Sequence, residues 1–167
     1  MASFEEHLNQ AERNLRFLEL INSNGFNEYL DWQVTACFYV VVHLANGHIA
    51  QAEDKHYRTH NQVLSSLNPY EGSPAKLPSE AFIAYDRLRD LSRRSRYMVS
   101  DRSANKSTNM YLTTTRHLSK AIRHLDTFIK FMHGTYQINL PQITFVTDAV
   151  RQNENIAFCK IQKPARI

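Results

Sequence analysis

The chain has 167 residues, a formal charge of +4 and 43 % apolar residues. That length fits one domain able to bury a core without disulfides or a structural metal. Four glycines are few for an all-β protein, whose hairpins need residues at positive φ. The mild positive charge leans toward an anionic partner. No apolar run reaches the ~20 residues of a membrane span, and the opening MASFEEHLNQAERN is too polar for a signal peptide. The expectation is a cytoplasmic protein. Its two cysteines, Cys37 and Cys159, stand in no ligand-spaced group.

The first helix is expected over 3–21. Ser3 and Glu6 have capping-box spacing, and Phe4, Leu8, Ala11, Leu15, Leu18 and Ile21 recur at helical intervals. Asn22-Ser23-Asn24-Gly25 is a stop signal. A second helix over 27–52 places Trp32, Ala36, Tyr39 and His43 on one stripe. Its centre is apolar nearly all round, as in a helix buried between neighbours. Cys37 reads as core, Trp32, Phe38 and Tyr39 as core rather than base-stacking platforms, and Gly47 as a weak point. A short helix over 57–67 carries Val63, Leu64 and Leu67. The stretch NPYEGSPAKLP is a connection.

A fourth helix, over about 78–98, turns Ala81, Ala84, Tyr85, Leu88, Leu91, Ser92, Ser95, Met98 and Val99 inward. SDRSANKSTN reads as a polar turn. The fifth helix, over 108–133, carries the stripe Leu118, Ile122, Leu125, Ile129 and Met132, with Arg116, Lys120, Arg123, Thr127 and Lys130 opposite and Gly134 as its stop. The period then changes. Ile143, Phe145 and Thr147 alternate with Thr144, Val146 and Asp148, and Ile156, Phe158, Lys160 and Gln162 follow the polar stretch RQNEN. This predicts a β-hairpin, which needs a bundle or a second chain to pack on.

The order of three motifs carries a resemblance. DWQVTACFYVVVHLANGHI, then DKHYRTHNQVL, then AYDRLRDLSRRSRY resembles bacterial members of the HEPN superfamily over roughly residues 5–133. The resemblance implies an all-α, up-and-down bundle of four to five helices over 1–134. The 135–167 tail would add a small β-hairpin or extended segment, packed on the bundle or on a dimer partner. It also implies homodimers that bind RNA or nucleotides, metal-independent ribonucleases, and toxins partnered by a nucleotidyltransferase-like antitoxin. Nuclease members carry an arginine followed four to six residues later by a histidine. Here Arg116 and His124 have seven residues between them, Arg123 and His133 nine, and Arg58 and His60 one. Catalysis is therefore not assigned. The rival readings are a ribonuclease with a non-standard Arg/His site and a protein-interaction module.

The stretch YDRLRDLSRRSRY holds five arginines. Arg89, Arg93 and Arg96, spaced four and three apart, share one helix face, where guanidinium groups can grip phosphate bidentately. The competing reading is a solvated face softened by Asp86 and Asp90. Ser92, Arg93, Arg96 and Tyr97 match the resemblance, which makes Arg93 and Arg96 the first anion contacts. His43 is either a hydrogen-bonded core histidine or, as the resemblance implies, part of a site. His43, His56, His60 and Tyr97 are the candidate groove residues. His56 and His60, spaced i,i+4, with His43, His48 and Asp54 near in sequence, raise the question of a metal. No HExxH or carboxylate-bridged pattern supports one, so no metal and no cofactor is assigned.

Overall fold

The structure, a computed structural model, describes residues 2–25, 27–97 and 112–164. In chain order these form α1 (Phe4–Asn24), α2 (Leu30–Glu53), α3 (His60–Leu67), α4 (Ser79–Tyr97), α5 (Thr115–Tyr136), β1 (Ile143–Val146) and β2 (Cys159–Gln162). The expected turn at 100–109, the expected helix start at 108, and Met98 and Val99 lie outside the described residues.

The capping box that starts α1 forms as its spacing requires. Ser3 Oγ accepts from the Glu6 N–H at 3.2 Å, and the Glu6 carboxylate accepts from the Ser3 N–H at 2.7 Å. Two orphan donors of the first turn are thereby satisfied. Ala11, Leu15 and Leu18 are fully buried, with Phe4, Leu8 and Ile21 packed beside them. Phe4 and His7 lie against Gly47, and Asn22 bonds Gln33, so α1 and α2 run antiparallel. Gly47 does not break α2. A Cβ there would sit 3.4 Å from both Phe4 and His7, and the missing side chain lets the two helices approach.

The core lies along α2. Residues 33–38 and 44–49 are all buried, against α1 on one side and α4 and α5 on the others. Tyr85 of α4 bridges Phe38 and Phe128. The whole predicted stripe of α5, from Leu118 to Met132, is buried, as are Ala81, Ala84, Tyr85, Leu88, Ser92 and Ser95 of α4. Phe38 and Cys37 are core, but Trp32 and Tyr39 are not: they are 55 % and 39 % exposed. An all-apolar helix has no periodicity to say which stripe stays uncovered, and the bundle leaves this one open. Gly134 likewise does not end α5. The helix continues to Tyr136 and closes on Gln137 at φ 55°, whose N–H bonds the His133 carbonyl.

The tail forms two strands, but not a hairpin. β1 and β2 pair in parallel, Ile143 opposite Cys159 and Val146 opposite Gln162. A parallel pair needs a crossover rather than a tight turn, and residues 147–158 supply it. The crossover is moored to α5. Arg123 binds Glu154 through two contacts of 2.6 and 3.0 Å, Lys130 bonds the Asn155 carbonyl, and buried Asp126 accepts from the Ala157 N–H at 2.6 Å. The second strand's inward side is also out of the expected phase. Phe158 and Cys159 are both buried, after which Ile161 points in while Lys160 and Gln162 point out. Ile143, Phe145, Val150, Ile156 and Phe158 join the same apolar cluster as the helices.

The far edge of β1 is sealed by α1. Glu19 accepts from the Thr144 N–H at 2.6 Å, while Asn22 both accepts from the Val146 N–H and donates to its carbonyl, at 2.7 and 2.9 Å. Two side chains thus stand in for a neighbouring strand and remove an edge open to mispairing.

Candidate anion-binding groove

The groove lies between the start of α3 and the face of α4. Thr59 caps α3 by accepting from the Gln62 N–H, which sets the helix start and fixes where His60 and Asn61 emerge. A network around Glu53 holds this corner. Its side chain, 3 % exposed, accepts from Tyr57 Oη, Ser66 Oγ, Ser73 Oγ and the Ala75 N–H. Burial alone would raise the carboxyl pKa. The donors from Ser73, Tyr57, Ser66 and Ala75 outweigh burial and hold it below the ordinary value. The end of α2, α3 and the following loop are thereby tied to one carboxylate.

Arg89, Arg93 and Arg96 of α4 face Thr59, His60 and Asn61 across a groove of 440 Å³. The three arginines expected to share a face do so. Asp86 and Asp90 both contact Arg89, at 2.8 and 3.4 Å, and Arg89 is only 17 % exposed. Its buried Nε has no hydrogen-bond partner among the described residues. Arg93 is exposed on the groove wall. Arg96 donates weakly to the Ser92 carbonyl at 3.4 Å and places its guanidinium 5.9 Å from the Tyr39 ring centre and 5.1 Å from that of Tyr97. Arg87 and Arg94 turn toward α5, where they depress the pKa values of His124 and His117 after the larger effect of burial.

His60 stands at the rim with its ring 5.5 Å from that of Phe38. Partial burial, then the charges of Arg96 and Arg89, lower its pKa. Its neutral form can accept a proton or a hydrogen bond near neutral pH. His43 and His56 are not at this groove. They gather around His7 of α1: His7 Nδ1 lies 3.3 Å from His43 Nδ1, and the His7 and His56 rings stack at 5.4 Å. Burial first, then mutual repulsion, lowers the pKa of His7 and His43. His48 has a structural role. Its Nε2 donates to the Ala75 carbonyl at 3.0 Å and its Nδ1 accepts from Tyr136 Oη at 2.6 Å. Among the described residues, no three His, Cys, Asp or Glu side chains are arranged to hold a metal ion.

The sequence does not single out Thr59 or Asn61 as site residues, although the N-cap spacing of Thr59 to Gln62 is an available signal; Tyr39, read as core rather than as a stacking platform, is instead 39 % exposed. A second surface is apolar. Phe17, Leu20, Ile21, Asn24, Tyr29 and Trp32 line a 390 Å³ depression. Among the described residues, no helix is long and apolar enough to cross a membrane. No protein-family model, curated protein or solved structure matches this chain.

Proposed function

We propose that the chain binds the phosphate groups of RNA or of a nucleotide in the groove between α3 and α4. Arg93 and Arg96 are the anion contacts in this reading, and His60 is at the rim. The observation that carries it is the convergence of Arg89, Arg93, Arg96 and His60 on one 440 Å³ groove. The HEPN resemblance, and with it a homodimer, belongs to the same proposal.

The test is a titration with RNA at several salt concentrations, comparing wild type with the Arg93→Ala/Arg96→Ala double variant. Wild-type affinity should fall steeply with salt. The variant should bind more weakly, with a log–log salt slope flatter by roughly 0.7 per lost contact. Equal binding by the two proteins refutes the groove as the phosphate site. Cleavage of the RNA that survives a chelator and disappears in His60→Ala would convert the reading to a ribonuclease.

The apolar depression favours a second role, self-association. Phe17, Leu20, Tyr29 and Trp32 are each about half exposed, at 49, 57, 56 and 55 %, and clustered exposed apolar groups mark interaction surfaces. Light scattering should give a dimer mass that falls to the monomer in Trp32→Glu. A monomeric wild type at micromolar concentration removes this role.

A further inference from the structure

Tyr39 departs from the burial of its own helix. Every other residue from Gln33 to Val41 is buried, whereas Tyr39 is 39 % exposed. Its ring centre lies 6.2 Å from that of Phe38, tilted at 51°, and Phe38 in turn lies against His60. The Arg96 guanidinium sits 5.9 Å from its centre, and that arginine lines the groove. Tyr97, 62 % exposed, approaches the same guanidinium at 5.1 Å. A partly exposed aromatic ring adjoining a row of arginines presents what a nucleotide needs. It offers a flat apolar surface for the base next to cations for the phosphate.

We propose that Tyr39 is a nucleobase-stacking platform beside the arginine groove, so that the site takes single-stranded nucleic acid in preference to duplex or to phosphate alone. This rests on the reading of the groove as a phosphate site. A base within a duplex is already stacked and paired and cannot lie on a protein ring, whereas an unpaired base can. Arg96 serves both halves of the ligand. Its positive charge faces phosphate, and its planar group extends the aromatic surface between Tyr39 and Tyr97.

The experiment measures fluorescence anisotropy with the full chain and three probes of equal length. One is a labelled oligoadenylate, one is the same backbone with abasic riboses, and one is the oligoadenylate annealed to its complement. The backbones of the first two carry the same charge, so phosphate contacts alone make them equal. Stacking of one base should favour the oligoadenylate over the abasic strand by about 5- to 150-fold. Tyr39→Leu should erase that preference. Tyr39→Phe, which keeps the ring and drops only the hydroxyl, should retain it. Equal wild-type affinity for the base-bearing and abasic strands overturns the platform while leaving the phosphate groove standing, and so does a preference that survives Tyr39→Leu. Tighter binding of the duplex also overturns it. Failure of wild type to bind any probe overturns both readings. The probe comparison on wild type decides the matter even if Tyr39→Leu does not fold.

Discussion

Replacing Glu53 tests how the groove is held together. The carboxylate lies at the junction of α2, α3 and the 68–78 connection, with its side chain 3 % exposed. Four donors converge on it, from Tyr57, Ser66, Ser73 and the Ala75 backbone. Glu53→Ala would leave these groups to find other partners. Some can: Ser66 and Ser73 already approach each other at 3.3 Å, and the Ala75 N–H also reaches Ser73 Oγ at 3.0 Å. The loss is therefore well below four separate bonds. Hydrogen bonds to a charged group contribute about 1.5–3 kcal/mol each, and with partial rearrangement a loss of about 3 kcal/mol is expected. For 167 residues, an unfolding entropy near 2.1 cal/mol/K per residue gives about 0.35 kcal/mol/K, so Tm should fall by about 9 °C.

Glu53→Gln should cost less but still lower Tm by several degrees. Its amide oxygen can face Ser66, Ser73 and Ala75 while Nε2 donates to the Tyr57 hydroxyl, but Nε2 then faces Lys55, and the charge that strengthens the bonds is gone. Calorimetry at pH 7 on both variants is the assay, with RNA anisotropy in parallel, because a loosened α3 would also displace Thr59, His60 and Asn61. A Glu53→Gln protein within about 1 °C of wild type, where a loss of several degrees is expected, would show that the carboxylate does not organise this corner.

Asn22→Ala should cost about 2–3 kcal/mol, because the Val146 N–H loses its acceptor in a part-buried site and Gln33 loses a donor; thermal melts would show Tm lower by several degrees, and an unchanged Tm would deny the edge-sealing role. Stability should also fall as the solution becomes acid. His7, His43, His48, His60, His117 and His124 all have folded-state pKa values below the ordinary 6.5, each chiefly through burial. The unfolded chain therefore binds more protons as pH drops below 6.5, so the stabilisation is full above that value and lost toward the lower folded pKa values. Urea midpoints that stay flat from pH 7 to 5 would contradict this. Phosphate binding should show the opposite trend. An anion in the groove favours the charged form of His60, so affinity should rise as pH falls below 6.5, and His60→Ala should flatten that dependence.

The helices were legible in the sequence because their signals are local. Ser3 and Glu6 are three residues apart, and the stripe from Leu118 to Met132 repeats within each pair of turns, so a single helix carries the whole pattern. The common face of Arg89, Arg93 and Arg96 follows from the same geometry. What the chain does not carry locally is which surface each stripe will meet. α2 is apolar around most of its circumference, so only the docking of α1, α4 and α5 decides that Phe38 is covered and Tyr39 left partly exposed. Histidine positions divide in the same way. His43 and His60 lie on the same or adjoining elements, yet His7 arrives from α1 to claim the first, and Arg96 arrives from α4 to flank the second. The alternation of Ile143 and Phe145 marks a strand, but parallel pairing with β2 depends on Arg123, Asp126 and Lys130 mooring the crossover to α5. Residues within a turn or two of one another set the helices; residues tens of positions apart, brought together by packing, decide which faces stay open to a ligand.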